Sequence, residues 1–307
     1  MPRILVIKLS SLGDFVQSLG AFRAIREHHR DVELTLLTTR SYVLLAKGCG
    51  FFDEIWVDER PSWLRPDQWL ALASRLRRAR FKRVYDLQRS ERTGWYFRLL
   101  GTGKPEWVGA AQGCSHRYIE PSMPTHAMER HAQMLALVGI ERVPPPDLSF
   151  VQADVSRFAL PQEYALLVPG SSPNRKIKRW PAENYVHVAK WLAARGVTPV
   201  LICGPAECEE AQRIAAACPK ARDIDTGVNE IVELARRAKI AVGNDTGPLH
   251  LIGAAGCPVV ALFCRESHAV KTRPPGPLVH VLQRPHLADL PVAEVLEAIR
   301  KVERPVR

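Results

Sequence analysis

Ile240-Ala241-Val242-Gly243-Asn244-Asp245-Thr246-Gly247-Pro248-Leu249-His250 decides how this chain folds. An apolar run of strand character ends in a tight polar turn with two glycines, and the chain then enters an apolar stretch of helical character. Such a turn offers unpaired backbone N–H groups and the positive end of a helix to an anion. Asp245, Thr246 and His250 add hydrogen-bonding side chains at the same place. The segment is therefore expected to form one wall of a phosphate or sugar-nucleotide site.

The same alternation extends outward in both directions. Residues 4–8, 34–38, 54–57 and 83–86 read as strands, and 15–29, 68–80, 92–100 and 129–138 as helices. Strands spaced by helices imply right-handed β-α-β units and a mainly parallel sheet with helices on both faces. Val143-Pro144-Pro145-Pro146 interrupts the pattern, because consecutive prolines exclude helix and central strand alike. It then restarts, with strands at 164–168, 197–203, 240–242 and 259–263. Helices follow at 182–194, 207–218, 230–238 and 249–255, then a final amphipathic one at 291–302. Two similar α/β domains facing each other over a cleft are expected, with the proline joint as a candidate hinge.

Composition bounds the partners. The 307 residues are 46% hydrophobic and 24% charged, with a formal charge of +11 that the two halves share. That balance favours anionic partners without choosing among glycolipid, nucleotide, membrane surface and nucleic acid. Seven scattered cysteines with no Cys-x-x-Cys pair read as reduced cytosolic thiols rather than a disulfide frame or zinc site. Lys8 and Asp14 break up the N-terminus, so no signal peptide is expected, and no run approaches the ~20 apolar residues of a spanning helix. The chain reads as a soluble, cytoplasmic protein able to rest on a membrane.

Three constellations offer chemistry. Lys8-Leu9-Ser10-Ser11-Leu12-Gly13-Asp14 follows the first strand, at the carboxyl edge where open α/β sheets collect ligands. Gly13 delivers Asp14 to a helix start, where Asp14 or Ser11 also reads as a simple cap. Pro169-Gly170-Ser171-Ser172-Pro173-Asn174-Arg175-Lys176-Ile177-Lys178-Arg179-Trp180-Pro181 sets small hydroxyl residues before four cations in five residues, the makings of a diphosphate cradle or of a solvated charged loop. It lacks the Gly-x4-Gly-Lys spacing of a Walker loop. His126-Ala127-Met128-Glu129-Arg130-His131 opens a helix. There Glu129 and Arg130 suit a polar acceptor, while His126 and Glu129 equally suit a local pair. His126 and His131 are five apart, on different helix faces, and make a poor metal clamp. The basic run Arg75, Arg77, Arg78, Arg80, Lys82 and Arg83 lies on a helix with a core-facing apolar stripe. It reads as a solvated face, and no aromatic-interleaved nucleic-acid motif accompanies it.

Together these stretches resemble the bacterial heptosyltransferases, glycosyltransferase family nine, nearly end to end. Lys8–Asp14 is similar to the family's Lys-x-Ser-Ser-x-Gly-Asp loop, and Asp86-Leu87-Gln88 to its Asp-x-Gln. His126–Arg130 resembles His-x-x-Glu-Arg, Lys178–Pro181 Lys-x-Trp-Pro, and Asp245–His250 Asp-Thr/Ser-Gly-x-x-His. Five motifs in order carry the likeness. Where several members have Thr-Thr in the second loop, this chain has Ser171-Ser172, in a loop about two residues longer.

The resemblance implies a GT-B architecture of two Rossmann-like domains with parallel sheets facing a central cleft. Residues 1–155 would be the acceptor domain and 156–290 the nucleotide-sugar domain, with a closing helix in 291–307 crossing back to the first. It implies an inverting transfer of heptose from ADP-L-glycero-D-manno-heptose to a phosphorylated Kdo-lipid A-type acceptor of the lipopolysaccharide inner core, with no metal and no cofactor. Asp14 and Lys178 would be catalytic. Ser171, Ser172, Lys178, Asp245, Thr246, Gly247 and His250 would hold the donor, with Glu207 or Glu209 at the ribose and backbone near 226–228 at adenine. Lys8, Ser10, Ser11, Gly13, Gln88, His126, Glu129 and Arg130 would meet the acceptor. Another nucleotide sugar or acceptor, or a non-catalytic sugar-nucleotide binder, are the competing readings. No nucleic-acid partner is expected, and the implied site of action is cytoplasmic, with peripheral contact at the inner membrane open to it.

Overall fold

The computed structural model describes residues 1–171, 176–204 and 208–304. It divides into two compact units, Met1–Pro146 and Asp147–Arg307. In the first, the strands are β1 (Arg3–Ile7), β2 (Glu33–Thr38), β3 (Glu54–Val57), β4 (Arg83–Asp86), β5 (Glu106–Gly109) and β6 (His116–Arg117). The helices are α1 (Leu12–His28), α2 (Val43–Gly48), α3 (Pro66–Arg78), α4 (Glu91–Leu99) and α5 (Ala127–Ala136). The second unit holds β7 (Tyr164–Val168), β8 (Thr198–Ile202), β9 (Arg222–Ile224), β10 (Ala241–Asn244), β11 (Val259–Phe263) and β12 (Val279–Gln283). Its helices are α6 (Ala182–Ala194), α7 (Cys208–Ala217), α8 (Val228–Arg237), α9 (Gly247–Ala254), α10 (Ala269–Thr272) and α11 (Val292–Val302).

Each unit is a six-stranded parallel sheet, in the order β3-β2-β1-β4-β5-β6 and β12-β11-β10-β7-β8-β9. Counted from its own first strand, each order is 3-2-1-4-5-6, that of a Rossmann domain. The sequence dictates this locally. Central strands such as Leu5–Ile7 and Leu166–Val168 are apolar on both faces because helices cover both. The first core gathers Leu5, Ile7, Trp56, Tyr96 and Trp107, and the second Leu167, Trp180, Tyr185, Val242 and Val260.

The order places the sites. The chain reverses direction across each sheet between β1 and β4, and again between β7 and β10. Ligands of such sheets bind outside the carboxyl ends of the strands at that switch point. The four loops that meet this condition begin after Ile7, Asp86, Val168 and Asn244. Gly243 permits the second switch: a Cβ there would lie 2.7 Å from Val168 Cβ, so only hydrogen lets β10 approach β7. Gly20 plays the matching part on α1, where a Cβ would collide with the Pro144 carbonyl.

Two expectations are corrected. The division falls at Pro146/Asp147, not 155/156, because residues 147–155 are tied to the second unit: Arg236 donates to the Leu148 and Val151 carbonyls at 2.7 and 2.8 Å. The closing helix, expected to cross back, packs within the second unit. There Val295, Ala298 and Ile299 of α11 join the second core, and Arg304 beyond it donates to the Ala238 and Gly256 carbonyls.

Candidate functional site

In the first domain the loop after β1 is held by its neighbour after β4. Gln88 Oε1 accepts the Leu9 and Ser10 amides at 2.9 and 3.1 Å, and the half-buried side chain thereby sets the path of the loop. Asp14 Oδ2 accepts from the Ser11 amide and hydroxyl, each at 3.0 Å, which is the cap the sequence allowed. Capping and function are compatible here, since the bonds orient the carboxylate at the head of α1.

Around this carboxylate stands a cationic cluster. Lys8 is buried and donates to the Leu87 carbonyl at 3.4 Å. Burial pushes its ammonium down to about 8, with Asp14 and Asp86 pulling it up and Arg89 and Arg130 pressing it lower. Burial lifts the Asp86 carboxyl to about 6, against the Arg89 amide, which donates to it at 2.9 Å, and the Thr93 hydroxyl. His131 is buried beside Lys8, Arg89 and Arg130, and burial first and these cations second hold its imidazole neutral. Arg130 pairs with Glu120 at 2.9 Å, and Arg89 reaches the same carboxylate at 3.9 Å. Arg60 donates to the Leu9 carbonyl at 2.8 Å. Both Arg60 and Arg89 hold left-handed backbone, φ 51° and 52°, a strained state for arginine that tends to gather at working sites.

In the second domain Asn244, fully buried at the end of β10, joins the two switch-point loops. Its amide nitrogen donates to the Pro169 and Gly170 carbonyls at 2.6 and 3.2 Å. Its oxygen accepts the Trp180 amide and the Tyr185 hydroxyl, both at 3.1 Å. Trp180 is pinned again through its indole N–H to the Leu290 carbonyl at 3.1 Å. Trp180, two residues beyond Lys178, is thus held at its backbone and at its indole. Lys178 Nζ reaches Asp245 Oδ2 at 2.7 Å, and His250 Nε2 stands 3.6 Å from Asp245 Oδ1. Burial opposes the charge on Asp245, yet His250 and Lys178 outweigh it and hold the carboxyl below its usual range. Arg179 Nε donates to Ser171 Oγ at 3.1 Å, and its guanidinium also pairs with Glu210. Thr246 caps α9, and its buried hydroxyl oxygen has no hydrogen-bond partner among the described residues. A helix start, a lysine and a threonine hydroxyl at one place are the kinds of donor that can hold an anion.

The family model described as Glycosyltransferase family 9 (heptosyltransferase) matches residues 69–296, which include the second switch-point loops in full. The chain belongs to glycosyltransferase family 9. Lipopolysaccharide core heptosyltransferase OpsX of Haemophilus influenzae is 21% identical over 295 residues, covering 90% of this chain and 83% of that protein. A glycosyl transferase family 9 structure from Veillonella parvula superposes with a TM-score of 0.84 at 18% identity, over 98% of this chain and 96% of that one. E. coli heptosyltransferase WaaC with ADP-2-deoxy-2-fluoro heptose gives 0.77 at 21% identity, over 97% and 99%. The fold is accordingly the GT-B fold, and the protein is a glycosyltransferase.

Within this family-9 fold, Lys8, Ser10, Ser11, Gly13, Asp14, Gln88 and Arg130 fall at one switch point. His126 caps α5, accepting the Met128 amide at 3.3 Å, and the exposed Glu129 accepts from Gln133 at 3.1 Å. Ser171, Lys178, Asp245, Thr246, Gly247 and His250 gather at the other. Glu209 is exposed in the first turn of α7, and Gly227 caps α8. Ser172 and Glu207 lie outside the described residues. Sequence reasoning gave no role to Asn244, Arg89, Arg60, Glu120 or His131. For Arg89 its place directly after Gln88 was a usable signal, whereas the four bonds of Asn244 have no trace in local sequence.

Proposed function

We propose that this glycosyltransferase moves L-glycero-D-manno-heptose from ADP-heptose to a phosphorylated Kdo-lipid A-type acceptor of the lipopolysaccharide inner core, with inversion and without a metal, on the cytoplasmic side of the membrane. The observation that carries the reading is the Lys178–Asp245 pair beside the start of α9, with a Thr246 hydroxyl that has no partner among the described residues. Leaving diphosphate gathers negative charge, and preorganised donors of this kind stabilise it where it develops. The names of the relatives, lipopolysaccharide core heptosyltransferase and a heptosyltransferase bound to an ADP-heptose analogue, support the donor and acceptor class.

In the proposed step the second domain binds ADP-heptose and the first binds the acceptor. Asp14 takes the proton of the acceptor hydroxyl while its oxygen bonds to the anomeric carbon. The bond from that carbon to the β-phosphate oxygen breaks on the opposite face, and ADP leaves with the electron pair. Positive charge on the sugar, as in an oxocarbenium-like transition state, is eased by the nearby carboxylate. Lys8, Arg89 and Arg130 suit the acidic groups of the acceptor, and Gln88 keeps the Asp14 loop in register. Glu209 and the backbone of residues 226–228 are the candidates for ribose and adenine.

A panel of ADP-, UDP- and GDP-sugars, read by thermal shift and by mass spectrometry of the product, tests the assignment. ADP-heptose alone should stabilise the protein and yield the heptosylated acceptor. Stabilisation and turnover with a UDP- or GDP-sugar instead would replace the donor, and turnover only with metal present would overturn the metal-free mechanism.

A further inference from the structure

The loop after β3 and one side of α4 carry indoles that belong to no core. Trp63 is 57% exposed, Leu64 88% and Trp95 44%. Trp63 stacks on the buried Trp69 with centroids 4.7 Å apart, and Trp95 meets Trp63 edge-on at 6.1 Å. Cations are interleaved with them: the Arg92 guanidinium lies 5.4 Å from the Trp63 ring, and that of Arg98 4.8 Å from Trp95. Arg92 also donates to the Pro61 carbonyl at 3.1 Å, which fixes the loop. Of the carboxylates nearby, Glu59 pairs with Arg40 and Asp67 with Arg65, while Glu91 stands exposed at the start of α4 beside Arg92.

Apolar residues standing singly on a surface need no explanation, but a fixed indole group edged with arginine does. Indoles suit the boundary between headgroups and acyl chains, and guanidinium groups suit the phosphates above it. We infer that this face of the first domain docks on a bilayer of anionic phospholipid. Trp63, Leu64 and Trp95 enter the headgroup boundary, and Arg92 and Arg98 meet lipid phosphate. The face is continuous with the loop that carries Asp14. Arg60, in the same segment as Trp63, bonds the Leu9 carbonyl, and α4 begins just beyond Gln88. Docking therefore turns the acceptor loop toward the lipid surface, a consequence that rests on the function proposed above.

The test is sedimentation of the full chain with vesicles of phosphatidylethanolamine and phosphatidylglycerol that contain no lipopolysaccharide. The wild type should partition onto them, less so onto pure phosphatidylcholine or in high salt. Replacing Trp63→Ser together with Leu64→Ser should lower partition roughly tenfold or more, as the loss of two interfacial anchors requires. The same variant should lose fluorescence quenching by brominated acyl chains and keep wild-type turnover on a water-soluble, deacylated acceptor. Leu64→Asp, at a position too exposed to disturb the core, should weaken binding in the same sense. Equal partition of wild type and both variants would overturn the inference. So would a wild type that ignores the vesicles and self-associates through this face. Because vesicle binding uses neither sugar donor nor acceptor, it reads out independently of the transferase assignment.

Discussion

Lys178 and Asp245, far apart in sequence, meet at 2.7 Å where the loops after β7 and β10 converge, with only about a tenth of either side chain exposed. The contact holds an ammonium at the head of α9 before any ligand arrives. Its carboxylate partner accepts one of three N–H donors and leaves the others for the phosphate oxygens of the proposed donor.

Lys178→Met should therefore act twice. Loss of a preorganised donor at the leaving group lowers kcat by about 10²–10³-fold. Removing one member of a largely buried pair also leaves Asp245 with His250 alone, with a stability loss on the order of 3 kcal/mol or less. Steady-state kinetics and urea unfolding separate the two effects, and a variant with wild-type kcat would remove Lys178 from the mechanism.

Asp14 serves as helix cap and as proposed base, and two substitutions distinguish the roles. Asn keeps an oxygen for the Ser11 amide and cannot take a proton, so Asp14→Asn should lower turnover about 10²–10⁴-fold with little change in unfolding. Asp14→Ala should add about 1 kcal/mol of lost capping. ADP affinity by calorimetry should stay level in both, since the residue lies in the first domain and the nucleotide is assigned to the second. Near-normal turnover of the Asn variant would exclude Asp14 as the base.

Much of this was readable from the amino acids, and the gaps have physical causes. Central strands β1, β7 and β11 are nearly continuous apolar runs because both their faces are buried, and they stand where the pattern predicts. Strands β6, β9 and β12 went unread. They are sheet edges, short or half-exposed, such as His116–Arg117 and Arg222–Ile224, and edge strands carry polar residues that give no alternation signal. The β5 strand, Glu106–Gly109, is simply too short to show a period. The stretches Lys8–Asp14, Gln88 and Asp245–His250 stood out because each lies directly after a strand, at β1, β4 and β10. The closing helix was misplaced because its apolar stripe says that it packs, not on which sheet. Nor does local pattern reveal that Arg89, in strained left-handed backbone, turns its amide onto Asp86.

The buried Asp86 makes a pH prediction whose sign can be worked out. Its carboxyl is raised from 3.8 to about 6 by burial, so between those values the folded chain holds a proton that the unfolded chain has released. Its contribution is full below pH ~4 and is lost as pH rises through about 6. Asp86→Asn keeps an oxygen for the Arg89 amide and has no proton to lose. Its stability relative to wild type should therefore improve by about 2 kcal/mol from pH ~4 to pH ~7. Chemical denaturation at the two pH values measures this, and parallel curves for variant and wild type would contradict it.

Asn244 offers the sharpest test of how the donor loop is held. One buried side chain binds the Pro169 and Gly170 carbonyls through nitrogen and Trp180 and Tyr185 through oxygen. Asn244→Asp replaces the nitrogen with an oxygen that faces two carbonyl oxygens, so both bonds turn repulsive at a fully buried position. Asn244→Ala strands the four partners at a loss of roughly 3 kcal/mol or more. Both changes release Pro169, Gly170 and Trp180 from Asn244 on β10, so affinity for ADP should fall along with stability. Asp14, which belongs to the other domain, should be unaffected, and the first domain's amides should keep their hydrogen-exchange protection. Exchange that instead rises evenly over both domains, with nucleotide affinity unchanged, would mean that Asn244 is only a core residue and does not shape the donor loop.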